Sequence, residues 1–220
     1  MADFSRKSLI SIIVPVFNEA SSIIENLDLL ISEVEPYFEN YEILVVSDGS
    51  TDGTNIKIFS LHDPHIRQLV NKDNKGKGNT IRYGFKQARG NYILFIDGGM
   101  ELHPKEIRTF IGLMDIYDAD IVIGSKRHPQ SKVCYPLIRK ILSYIFQKFI
   151  KLLFRLDVTD TQVGIKLFRR QVIEAILPDL VLDRYGFDLE ILALAHYRGF
   201  KRVLEAPIQL DYFLQNNRHV

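Results

Sequence analysis

Leu9-Ile-Ser-Ile-Ile-Val-Pro-Val16 (LISIIVPV) is the stretch on which the fold turns. It is almost continuously apolar and rich in β-branched residues. A strand with one wet face would alternate apolar and polar residues, so this one belongs inside a sheet covered on both sides. Helices supply such cover, and the following residues have their period. From about Ser21 to Phe38, Ile23, Leu27, Leu30, Ile31 and Val34 fall on one side of a helix. The alternation then repeats. Glu42–Val46 (EILVV) reads as a strand ended by the turn and capping residues Ser47–Gly53, with a helix after them. A short strand near Ile66–Val70, a Gly-Lys loop, a helix around Thr80–Ala88, and strands at Tyr92–Ile96 and Ile121–Ile123 complete the pattern. Strands alternating with helices predict an α/β fold with a mostly parallel sheet and helices on both faces.

Ligands of such sheets gather at the carboxyl ends of the strands. Phe17-Asn-Glu19, Ser47–Asp52 and Asp97–Glu101 all fall there. Asp48, at the end of a strand, can accept hydrogen bonds from a ribose or a base. Asp52 is explained by a helix N-terminus alone, with Ser50 or Thr51 as the cap. Lys72–Gly78 (KDNKGKG) offers backbone amides and lysines to an anion, although an exposed loop explains it equally. In Phe95–Pro104 (FIDGGMELHP) the buried strand stops on Asp97, and Glu101 follows two glycines. Two carboxylates so placed can share a divalent cation whose other oxygens come from a diphosphate. The plainer reading has Glu101 at the N-terminus of a helix opened by Pro104. Asp188 and Glu190 could each be a base or a first-turn carboxylate.

Composition narrows the class. The 220 residues are 46% hydrophobic and 25% charged, with a net charge of +1. Those values suit a globular protein with a full core. The single cysteine, Cys134, excludes an internal disulfide. No signal peptide or membrane span is expected. The charge is uneven: Lys126–Leu156 holds eight Lys or Arg and no Asp or Glu. Within it Arg139, Ser143, Gln147, Lys151 and Arg155 form a stripe at steps of four on an otherwise apolar segment, Leu137–Leu156. That is the pattern of an interfacial helix on an anionic membrane, with dimerisation through the apolar face as the rival. Nucleic acid is not expected as a partner, because the aromatics lie among aliphatics.

In order, IIVPVFNE (12–19), EILVVSDGSTDGT (42–54), NKGKGNTIRYGFKQARGNYILFIDGG (74–99) and DTQVGIKLFRR (160–170) resemble the large inverting glycosyltransferase family 2 with the GT-A fold. The resemblance spans about residues 8 to 210. It is strongest to the dolichyl- or polyprenyl-phosphate sugar transferase branch. Gly124-Ser-Lys126, Arg139 with Ser143, and RYGFDLEIL (184–192) are nearer the glucosyl than the mannosyl members.

The resemblance implies one GT-A domain over residues 1–220. About 1–125 would bind the sugar nucleotide, and about 126–220 would face the acceptor and the membrane. Pro15, Phe17, Glu19, Val46 and Asp48 would hold the nucleoside of a UDP-sugar, with a GDP-sugar as second choice. Lys77 would serve the same ligand. Asp97, Gly98 and Gly99 stand in the family's Asp-x-Asp metal motif. The second Asp is Gly99 here, so Mg²⁺ or Mn²⁺ would rest on Asp97 and Glu101. Lys126 and Arg139 would grip a polyprenyl phosphate, with Asp160 and Gln162 near the sugar. The place of action would be peripheral, on the cytoplasmic face of a membrane. The alternatives are a polysaccharide or protein acceptor, or a non-catalytic sugar-nucleotide scaffold.

Overall fold

The computed structural model describes residues 8–133, 156, 158–184 and 186–210. The strands are β1 (Ile10–Val16), β2 (Tyr41–Asp48), β3 (Ile66–Asn71), β4 (Tyr92–Ile96), β5 (Ile121–Ser125), β6 (Lys132–Val133), β7 (Ile165–Arg169), β8 (Val203–Pro207) and β9 (Gln209–Leu210). Seven form one sheet in the order β3-β2-β1-β4-β7-β5-β8, and β6 pairs with β9 apart from it. Within the large sheet only β7 runs antiparallel to its neighbours. The α/β expectation holds, with one reversed strand the periodicity did not announce.

Helices α1 (Ile23–Val34), α2 (Thr54–Ser60), α3 (Lys77–Gln87), α4 (Glu106–Ile116), α5 (Arg170–Ile176) and α6 (Phe187–Tyr197) cover both faces. The pleat of β1 shows how. Ile10, Ile12 and Val14 pack with Leu27 and Leu30 of α1 and Phe110 of α4. Ile13, on the other face, packs with Ile81 and Phe85 of α3, Val172 of α5 and Leu192 of α6. Each of these β1 side chains is wholly buried, which is worth about 1.5–3 kcal/mol apiece in area terms. The unbroken apolar run is thus the consequence of two cores rather than one.

At the amino end of the sheet a polar network is closed off. Buried Glu42 accepts from Ser11 Oγ at 2.6 Å, Arg89 N–H at 2.7 Å and Arg67 Nη1 at 2.6 Å. Burial alone would raise its carboxyl, but these three donors outweigh burial and hold it below its ordinary value.

Helix α3 begins at Lys77, three residues before the expected Thr80. Lys77 therefore stands in a first helical turn and not in a loop. The basic segment Leu137–Leu156, Arg139 included, lies outside the described residues except for buried Leu156. Among the described residues no helix is long and apolar enough to cross a membrane.

Candidate active site

Parallel strands put their carboxyl ends on one side, and there a cavity of ≈ 630 Å³ opens. The size suits a bound small molecule. Strand β1 contributes Pro15, with Phe17 and Glu19 just beyond, β2 contributes Asp48, and the turn after β4 contributes Asp97, Gly98, Gly99 and Glu101. Phe17, also in the cavity wall, stands 48% exposed.

Asp48 is buried and fully employed. Its Oδ1 accepts from Asn71 Nδ2 at 3.1 Å and Lys75 N–H at 2.9 Å, and its Oδ2 from Gly76 N–H at 2.7 Å. The carboxylate folds the Lys72–Gly76 loop over the strand ends while still lining the cavity. Asp52 stands at the N-terminus of α2 as expected, although the helix lacks the expected cap. Neither Ser50 nor Thr51 caps α2. Asp52 instead accepts from Thr54 N–H at 3.0 Å and from Ala20 N–H at 2.9 Å, stitching the loops after β1 and β2 together. Val46 is a further correction. Its side chain is wholly buried in the core with Ile13 and Leu44 and forms no part of the cavity wall.

Asp97 is shaped by the reversed strand. Because β7 runs antiparallel, it enters the sheet at the end where its neighbours leave, so Gly164 lands beside Asp97. Asp97 N–H donates to Gly164 O at 3.0 Å, and a Cβ at Gly164 would sit 2.0 Å from Asp97 Oδ2. Only glycine permits that approach. Gly98 is equally constrained, since a Cβ there would meet Val16 Cγ1 at 2.6 Å. Gly99 is different: a Cβ would find only Glu19 Oε1, at 3.9 Å. Residue 99 lines the cavity, and among the described residues no packing there demands a glycine.

Lys77 Nζ approaches Asp97 Oδ1 to 2.6 Å. The contact is an ion pair whose angles fall short of a good hydrogen bond, so Oδ1 is buried without an aligned donor. Burial would lower the Lys77 ammonium, but the carboxylates of Asp97, Asp188 and Glu101 outweigh it and hold it above its ordinary value. Glu101 is exposed, lines the cavity and precedes α4 by five residues, so it does not cap that helix.

Gln162 reaches the cavity wall, whereas Asp160 does not. Asp160 accepts from Gln162 N–H and Lys126 N–H, both at 3.2 Å, and fixes the loop between them. Glu190 accepts from the backbone N–H groups of Val181 and Leu182, which gives it a structural task. Lys126 follows β5 directly. Arg139 lies outside the described residues.

Sequence reasoning passed over Lys166. It is 0% exposed, and its Nζ donates to Val163 O at 2.8 Å and pairs closely with Asp188. Burial drives this ammonium below its ordinary value, and Asp188 opposes the shift. The signal was present: a lone lysine in the apolar strand Ile165-Lys-Leu-Phe168. Asn74, Thr80 and Arg184 also line the cavity unannounced.

The profile of "Glycosyl transferase family 2" matches residues 11–177. The chain belongs to that family. Among curated relatives it is 33% identical over 201 residues to the dolichyl-phosphate beta-glucosyltransferase of Dictyostelium discoideum, covering 84% of this chain and 62% of that one. To the Saccharomyces cerevisiae protein of the same name it is 32% identical, covering 90% and 66%. The chain thus spans somewhat under two thirds of the length of these family 2 relatives. Among solved structures it superposes on glucosyl-3-phosphoglycerate synthase from Mycobacterium tuberculosis with a TM-score of 0.69 at 18% identity, covering 92% of this chain and 71% of that one. That protein was crystallised with Mn²⁺, UDP and glucosyl-3-phosphoglycerate. At such identity the likeness shows the shared GT-A fold.

Proposed function

We propose that this family 2 domain transfers glucose, with inversion, from UDP-glucose to a polyprenyl phosphate of the dolichyl type at the cytoplasmic face of a membrane. One observation carries the reading: Asp48, Lys77 and Asp97 converge on a single cavity in a chain about one-third identical to dolichyl-phosphate glucosyltransferases. Phe17 and the loop folded on Asp48 would receive the nucleoside, and Lys77 the diphosphate.

An acceptor phosphate oxygen attacks the anomeric carbon while its bond to the UDP oxygen breaks, and UDP departs with that electron pair. The acceptor is already anionic at neutral pH, so no strong base is required. The work falls on alignment and on charge at the departing diphosphate. Mg²⁺ takes one or two protein carboxylates and completes its shell with phosphates. Asp97, with its poorly satisfied Oδ1, suits that arrangement, and Glu101 is the second donor in the same wall. When bound, the cation supplies positive charge to the diphosphate. Arg139 and Lys126 would hold the acceptor phosphate, with the acid-free segment around Arg139 resting on the lipid headgroups.

The deciding assay is formation of glucosyl polyprenyl phosphate from UDP-glucose in liposomes. Arg139→Ala should raise the KM for the lipid about tenfold or more, as loss of a charge-assisted phosphate contact does, and leave UDP affinity unchanged. Equal loss of both, or no turnover with any polyprenyl phosphate, would remove the assignment.

A further inference from the structure

Lys166 and Asp188 form a buried ion pair that the transfer step as described does not use. Lys166 projects from the middle of an apolar strand and is flanked by buried Ile165, Leu167 and Phe168. Its Nζ lies 5.0 Å from the centre of the Phe95 ring, on which Lys77 Nζ also stands at 5.8 Å. Two ammonium groups and two carboxylates, Lys77 with Asp97 and Lys166 with Asp188, therefore surround the residue that leads β4 into the cavity. As a tie between β7 and α6 alone, the second pair makes little sense. A buried ion pair is worth no more than well-packed apolar side chains of the same volume, and the strand around Lys166 shows that apolar side chains fit.

The pair is also not sealed. Asp188 stands in the first turn of α6, its side chain is 18% exposed, and it lines the cavity with Asp97, Gly99 and Gln162. Lys166 occupies Oδ1. Among the described residues nothing donates a hydrogen bond to Oδ2. An ionised carboxylate accepts and never donates, and it repels phosphate. The partner it fits in a sugar-nucleotide cavity is a hydroxyl.

We infer that Asp188 accepts a hydrogen bond from one hydroxyl of the transferred sugar, and that Lys166 is the positioning residue that keeps this carboxylate aimed. The pair would then select the sugar rather than the nucleotide. This inference rests on the sugar-nucleotide reading of the cavity, and the test separates the two.

Binding of UDP, UDP-glucose and UDP-glucose analogues deoxygenated at single ring positions is measured by calorimetry on the full chain. Asp188→Asn should leave the Kd for UDP within about twofold and weaken UDP-glucose by roughly ten- to a hundredfold, the range for losing a hydroxyl-specific contact. One deoxy analogue should lose a similar factor on the unaltered chain and almost nothing further on D188N. Lys166→Met should reproduce that pattern, and Lys166→Arg should recover part of it. D188N keeps the side-chain shape, so it reads out the contact even where K166M fails to fold. Equal weakening of UDP and UDP-glucose, or unchanged discrimination among all analogues by D188N, overturns the assignment of Lys166 and Asp188 alone. Failure of the unaltered chain to bind either ligand overturns the sugar-nucleotide reading as well.

Discussion

The two ends of the sheet both bury charge, and they treat it differently. At the amino end, Glu42 draws donors from Ser11, Arg67 and the Arg89 backbone. At the carboxyl end, Lys77–Asp97 and Lys166–Asp188 border a cavity, and among the described residues Asp97 Oδ1 is left buried without an aligned donor. A carboxylate whose hydrogen bonds are all made within the protein contributes to stability. One left short contributes little and is available to a ligand.

The sharpest way to break this contrast is Asp97→Asn. Turnover should fall on the order of 100- to 1000-fold, the scale for losing a group that stabilises transition-state charge, while thermal unfolding shifts little. An equal collapse of stability in a melting curve would erase the distinction between the two ends.

The mirror experiment is Glu42→Gln. It should lower stability by about 2–3 kcal/mol, the lower part of the range for breaking a buried pair because Arg67 is partly exposed. In a chain of this size that lowers Tm by about 5–10 °C, with UDP affinity unchanged in the folded fraction. Its pH dependence has a definite sign. The folded carboxyl lies below its unfolded value, so its stabilisation is present above about pH 4.5 and is lost as pH falls through the folded pKa. Urea unfolding of the unaltered chain should show that acid loss, and E42Q should flatten it.

Gly164→Ala sharpens the comparison from within the site. Its Cβ would press on Asp97 Oδ2, so turnover should drop by about tenfold or more while stability falls by about 1–3 kcal/mol, as over-packing does. Steady-state rates beside denaturant curves separate the two effects. The smallest effect belongs to neither end. Arg108 stacks on Tyr37 and pairs with Glu33 at the surface, so Arg108→Ala should cost about 0.5 kcal/mol or less and leave activity untouched.

Much of the site was legible because parallel strands share a direction. Once Val16, Asp48 and Asp97 are read as strand ends, Glu19, Asp48 and Asp97 must gather on one side. Local rules erred where distant chain intervened. Lys77 and Gly78 read as the end of a Gly-Lys loop, yet they open α3. A Cβ at Gly78 would lie 2.4 Å from Leu182 O, so the glycine is required by a segment a hundred residues away. Val46 was assigned to the nucleoside by the family resemblance. The pleat turned its side chain into the core.

The sequence alone determined the layered α/β architecture and the clustering of acids at one sheet edge, because hydrophobic periodicity and the alternation of strands with helices are local properties, and its motifs carried the family resemblance. Only the tertiary structure decided that β7 enters the sheet reversed. That reversal carries Gly164 against Asp97 and places Lys166 behind Asp188. Strand direction inside a sheet and the partner of a buried charge are set by contacts between distant segments, and no local pattern encodes them.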